Sequence, residues 1–170
     1  IDITQKEISI RDNGAGMDRE GLENYLWLGY SEKQRDRRTK KLSRYTIGKF
    51  GIGKLSMHVI CNRCRITTVK NGTKRSLVLD FEKILSHKGL SDEEIQVHES
   101  ATHNPEGTSV QLIGLKKTID VKKATRRIAR NMPLSPDFQI VVNRELLRPE
   151  DVIKGKEYAI DINLPLTGKV

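Results

Sequence analysis

A chain of 170 residues, 36% hydrophobic and 31% charged, suits one soluble domain, or one domain with part of another, and can bury roughly two-thirds of its unfolded surface. Its formal charge of +9 favours an anionic partner (nucleotide, nucleic acid or anionic surface), and no run of about 18 apolar residues is present to span a membrane. The start, Ile1-Asp2-Ile3, has neither an initiator Met nor a signal-peptide pattern, so the sequence reads as a piece of a longer, cytoplasmic protein. Cys61 and Cys64 form a single C-x-x-C. A structural zinc site wants four ligands, and no second pair exists. A redox dithiol and two ordinary thiols in a reducing cytosol both remain, the second being favoured.

Residues 1–10 alternate as a strand, with Ile8 and Ile10 on one face and Ser9 on the other. Two glycines break it at 11–17. Asp18 is a good N-cap for a helix carrying Leu22, Tyr25 and Leu26 and ending near Gly29. Residues 31–46 are crowded with Lys and Arg, lack apolar periodicity and read as a loop. A second helix is predicted over 51–60. Strands at 63–70 and 73–81 flank Asn71-Gly72, a strong hairpin signal. A short helix or irregular insert is expected at 82–89, strands at 95–99 and 108–115, and a basic helix from an Asp120 cap to about Asn131. Later strands are predicted at 138–142 and 158–164. There is no internal repeat. Hairpins interleaved with amphipathic helices predict an α+β fold, a two-layer α/β sandwich with a mostly antiparallel or mixed sheet and helices on one face.

Two glycine-bearing segments carry the chemistry. The first is Asp12-Asn13-Gly14-Ala15-Gly16-Met17, directly after a strand. An Asp there can accept a hydrogen bond from an exocyclic amine, and glycines let backbone approach a flat ring. The same pattern also makes ordinary tight turns. A calcium loop is not supported, because the further acidic positions and closing Glu are absent. The second is Gly48-Lys49-Phe50-Gly51-Ile52-Gly53-Lys54 at a predicted helix start, where backbone amides and the helix dipole attract phosphate. Lys54 is followed by Leu55, so this is not a Walker A loop, and the glycine spacing is not that of a dinucleotide fingerprint. Packing alone also explains such a helix start. A weaker third feature is Gly107-Thr108 at the head of a strand, whose hydroxyl suits a water or a base edge.

Taken in order, these segments resemble the GHKL ATPases, the superfamily of gyrase-type topoisomerases, large heat-shock chaperones, histidine kinases and MutL-type repair proteins. IRDNGAGM resembles the second motif of that family. IGKFGIGKLSMHVICNRCRITT resembles the third, most like the heat-shock-chaperone branch, and EGTSVQL the fourth. The resemblance spans about residues 1–115 and implies the Bergerat fold, with ATP and magnesium as cofactors. It implies that Asp12 holds the adenine amine, Gly14, Gly16 and Met17 shape the adenine pocket, and Thr108 completes its water network. Gly48, Gly51 and Gly53, with the amides of Phe50 and Ile52 and the charges of Lys49 and Lys54, would wrap the phosphates. Residues 31–47 would be the ATP lid, in which Lys33, Arg35, Arg37, Arg38, Lys40, Lys41 and Arg44 face a polyanion. Each of these cations is equally at home on a solvated loop.

The family's first motif, a helix bearing the Glu that activates water and the Asn that holds magnesium, lies ahead of this point in the family order. Glu23-Asn24 follows the second motif and Glu7 sits on a strand, so neither takes those roles. The expectation is therefore an ATP-binding domain over 1–150, truncated at its N-terminus and without hydrolysis as given. Residues 151–170 would begin a following domain. Three functions fit: a nucleotide-driven conformational machine, an ATP-gated nucleic-acid machine of repair or chromatin type using the basic segment 116–130, and a chaperone or signalling protein whose nucleotide state controls a homodimer.

Overall fold

A computed structural model describes residues 1–26, 56–86, 95–132 and 137–148. Its centre is a six-stranded sheet built from β1 (Asp2–Ile3), β2 (Glu7–Asp12), β3 (Cys61–Lys70), β4 (Thr73–Asp80), β5 (His98–Ala101) and β6 (Gly107–Leu115), in the order β1-β2-β6-β3-β4-β5. Every pairing is antiparallel. The helices are α1 (Arg19–Leu26), α2 (Met57–Ile60), α3 (Phe81–Ser86) and α4 (Val121–Asn131), and a separate hairpin joins β7 (Val141–Val142) to β8 (Glu145–Leu146). The chain is α+β, with its helices packed on one sheet face as the sequence predicts.

Register explains which face that is. Side chains opposite one another in an antiparallel pair share a face. One rung runs Ile8, Leu112, Cys64, Leu79, and the next runs Ile10, Val110, Ile66, Leu77. These apolar rungs meet Leu22 and Tyr25 of α1 and Met57 and Ile60 of α2 in the main core, where Ile66 and Cys64 are fully buried. A second cluster forms where Ala124, Ile128 and Ala129 of α4 meet Ile3, Ile140, Val142 and Leu147. Ile8 touches both clusters and joins them. The opposite face is mostly polar: one rung runs Ser9, Gln111, Arg65 and ends in an exposed Val78.

Local chemistry agrees with most predicted ends. The Asp18 carboxylate accepts from the Gly21 amide at 2.8 Å and caps α1, and Asp120 accepts from Lys123 N at 3.0 Å and caps α4. Asn71 and Gly72 take φ of 51° and 69°, the doubly left-handed turn that matches strand twist.

β3 begins two residues before its expected start and α3 one residue before its own, and three larger differences have clear causes. Residues 1–10 form two strands, because the Thr4 hydroxyl accepts from the amides of Lys6 and Glu7 and turns the chain, laying β1 back on β2. The strand expected at 95–99 is His98–Ala101, since Ile95 and Val97 pack on the core while pairing to β4 begins at His98. The strand expected at 138–142 is reduced to Val141–Val142, because Asn143 and Arg144 both adopt positive φ and close an unforeseen hairpin. The Asn143 amide then accepts from Ile3 N at 2.7 Å and donates to Ile3 O at 3.2 Å, standing in for a neighbouring strand along β1. The predicted strand at 158–164, the segment 151–170 and the first half of the helix predicted at 51–60 lie outside the described residues. Among the described residues no helix is long and apolar enough to cross a membrane.

Candidate functional site

The helix-bearing face changes character at its third rung. Beyond Ile10, Val110, Ile66 and Leu77 come Asp12, Thr108, Thr68 and Arg75, in register across β2, β6, β3 and β4. An apolar floor thus ends in a polar edge, and the glycine loop after β2 lies beside it. This is the arrangement a base needs: flat apolar contact with hydrogen-bonding groups at one side.

Asp12 is exposed and already oriented. Its Oδ1 accepts from the Gly14 amide at 2.9 Å and from the Thr108 amide at 3.3 Å. Two backbone donors on one oxygen fix the carboxylate and leave Oδ2 free to accept from a ligand. The loop is held against β3 by Gly16, whose φ is +61°. A Cβ there would lie 1.9 Å from the Val69 carbonyl oxygen, so no other residue fits. Gly107 has the same kind of constraint from the other side: φ is +152° and a Cβ would sit 2.2 Å from the Asp12 carbonyl. The two glycines hold three strand ends close together.

Met17 follows, packing its side chain on the main core and donating its amide to Thr68 Oγ1 at 2.8 Å. Thr68 is fully buried, and its hydroxyl also lies 3.3 Å from the Gly107 carbonyl and 3.3 Å from Thr108 Oγ1. A buried hydroxyl with all its capacity used is a strong positional restraint. Sequence reasoning missed this residue. The signal was present, because Cys64, Ile66 and Thr68 fall on one face of β3 and the third is polar.

Charge collects around the loop. Lys70 Nζ lies 2.7 Å from Asp18 Oδ2, tying the end of β3 to the start of α1, and that hydrogen bond holds the Asp18 carboxyl below its ordinary range. Arg75 pairs with Glu99 at 3.2 Å across β4 and β5, and Arg19 reaches the same carboxylate at 3.7 Å.

The cysteines do not join this site. Both are fully buried, Cys61 facing the Met57 carbonyl at 3.2 Å and Cys64 the Met57 thioether at 3.6 Å. Burial pushes the Cys61 thiol up and the Cys64 thiol to about 12, the opposite of a reactive dithiol.

Of the residues expected at the site, Asp12, Gly14, Gly16, Met17 and Thr108 come together around Thr68. Lys33, Gly48, Lys49, Phe50, Gly51, Ile52, Gly53 and Lys54 lie outside the described residues, as does the expected lid. Among the described residues no group of three or more His, Cys, Asp or Glu side chains forms a metal site.

The family model described as "Histidine kinase-, DNA gyrase B-, and HSP90-like ATPase" matches residues 2–111, which hold the whole of this polar rung and both glycine-bearing segments. The chain belongs to that ATPase family. It is also similar to a putative type II restriction enzyme, HgiDII, of Herpetosiphon aurantiacus, with 27% identity over 160 residues. That match covers 89% of this chain and 26% of the relative, so the chain spans about a quarter of that protein's length.

Proposed function

We propose that this chain is an ATP-binding module in which Asp12 and Thr108 receive the adenine edge and nucleotide drives a conformational change. The observation that carries the reading is the polar rung Asp12–Thr108–Thr68 at the end of an apolar sheet face. Asp12 Oδ2 suits the exocyclic amine, and Met17, packed on the main core, would offer an apolar side to the ring. The phosphates would fall to the amides of Gly48 through Gly53, with Lys49 and Lys54, where the sequence predicts a helix start that would favour anions. Residues 31–47 would close over them, Lys33 included. Magnesium would arrive with the triphosphate. The residues that fit the adenine end supply no general base, so binding is proposed here and hydrolysis is not. Calorimetry of the full-length protein with magnesium–ATP tests this, and a flat titration sinks it. Sedimentation with a non-hydrolysable analogue tests whether closure also joins two copies.

A second reading adds a nucleic-acid partner. Lys122, Lys123, Arg126, Arg127 and Arg130 are all exposed on α4, opposite the face it buries. Among the described residues the one carboxylate near them is Asp120, 4.0 Å from Lys123 Nζ. Spacings of three and four put like charges on neighbouring turns, which costs a few tenths of a kcal/mol per pair and is relieved by phosphates. Similarity to a protein named as a restriction enzyme adds support. Duplex DNA titrated at rising salt should give a steep loss of affinity. Absence of binding at low salt removes this reading and leaves the first intact.

A further inference from the structure

Hydrogen-bond capacity around Thr68 leads to a conclusion about selectivity. A threonine hydroxyl has one proton and two acceptor lone pairs. Thr68 Oγ1 has three neighbours: the Met17 amide at 2.8 Å, the Gly107 carbonyl at 3.3 Å and Thr108 Oγ1 at 3.3 Å. The amide can only donate and the carbonyl can only accept. Thr68 must therefore accept from Met17, and it satisfies the carbonyl only by giving it the single hydroxyl proton. The remaining contact, with Thr108, is then a hydrogen bond only if Thr108 donates. No other assignment makes all three contacts hydrogen bonds. In a fully buried position the satisfied arrangement is the stable one, because an unmet polar atom there has no water to turn to.

We propose that Thr68 is a positioning residue that fixes Thr108 Oγ1 as an acceptor toward the ligand, and so makes the site selective for a 6-amino over a 6-oxo purine nucleotide. Thr108 spends its proton on Thr68 and presents lone pairs on the side that faces Asp12. Asp12 has both backbone donors on Oδ1, leaving Oδ2 as an acceptor. The rim of the site then offers two acceptors and no hydroxyl proton. An exocyclic amine in direct contact carries N–H donors to match. A 6-oxo group meets acceptor against acceptor. Thr68 itself, sealed beneath the loop, acts only through its neighbour. This rests on the ATP-binding reading above.

The test compares ATP with inosine triphosphate, which differs at the 6-position, by calorimetry on the full-length protein. Wild type is expected to bind ATP more tightly. Thr68→Val keeps the shape but removes the hydroxyl. Thr108 then loses the acceptor for its proton and is free to turn it toward the ligand. The ATP:ITP affinity ratio should fall about tenfold, the worth of one hydrogen bond, and Thr68→Ser should restore it to within about twofold. A purely structural role would weaken both nucleotides together and leave the ratio alone, so an unchanged ratio in folded Thr68→Val overturns the proposal. Should that variant fail to fold, Thr108→Val on the more exposed strand end carries the test: the ratio must fall there too, and if it does not, the proposal is wrong. Wild type that binds ATP without discrimination sinks only the selectivity. Wild type that binds neither nucleotide sinks the ATP reading with it.

Discussion

Two neighbouring rungs of one sheet face behave as opposites. Ile10, Val110, Ile66 and Leu77 form a floor of which Ile66 and Leu77 are fully buried in the main core. Two residues further along each strand, Asp12, Thr108, Thr68 and Arg75 form an edge whose outer member is exposed and whose inner hydroxyl is buried and fully used. The backbone is the same antiparallel ladder in both. Side-chain chemistry alone separates an apolar rung from a polar one, and the two should therefore respond differently to mutation.

The largest effect is expected from the apolar rung. Ile66→Ala removes a fully buried side chain from close packing, and should cost about 2–5 kcal/mol in chemical denaturation. ATP affinity per folded molecule should change little. An equal loss of affinity in the folded fraction would erase the division between the rungs.

Asp12→Asn tests the other side. Asn can keep the Oδ1 acceptor for the Gly14 and Thr108 amides, but it replaces the outward acceptor with an NH₂ donor. Stability should hold, while ATP affinity falls about 10- to 100-fold, the range for losing a hydrogen bond to a charged group. Unchanged affinity would remove Asp12 from the base site.

Gly16 and Gly72 sharpen the same contrast among turns. Both have positive φ, yet a Cβ on Gly16 meets the Val69 carbonyl oxygen at 1.9 Å while on Gly72 its nearest neighbour is the Thr102 carbonyl at 3.8 Å. Gly72→Ala should cost only its backbone strain, about 1 kcal/mol in thermal or denaturant unfolding. Gly16→Ala must also push the loop away from β3, and should lose nucleotide binding as well as more stability. Equal effects at the two turns would mean that the loop is free to move off the sheet.

Much of this was legible in the sequence because local chemistry specified it. Asp18 and Asp120 are caps wherever they precede a helix, and Asn71-Gly72 makes the same turn in any hairpin. Asp12 and Thr108 were legible through the ordered glycine motifs. Thr68 was not singled out, because its role depends on which strands lie side by side. β3 neighbours β6 only through a long excursion in the chain, and the pairing Thr68–Thr108 spans 40 residues. Asn143 was hidden for the same reason: its amide meets Ile3 across 140 residues. Gly16 carried a visible signal but an incomplete explanation, since its contact with the Val69 carbonyl belongs to the fold before any ligand arrives.

The smallest effect concerns the ion pair beside the loop. Asp18 accepts from Lys70 and from the Gly21 amide, and both interactions pull its carboxyl below the ordinary 3.8. A folded-state value below the unfolded one means that the contribution is present in full above about pH 4 and is lost as pH falls through the depressed value. The Asp18 side chain is 50% exposed, so solvent screening holds the contribution of the pair to less than about 1 kcal/mol. Asp18→Asn keeps an oxygen to cap α1 but has no charge for Lys70. Its melting temperature should lie slightly below wild type near neutral pH, and the two should converge on acidification below the ordinary carboxylate value. A constant gap down to low pH would mean that the Asp18 charge contributes nothing, and that its ion pair with Lys70 does not help hold the glycine loop against the sheet.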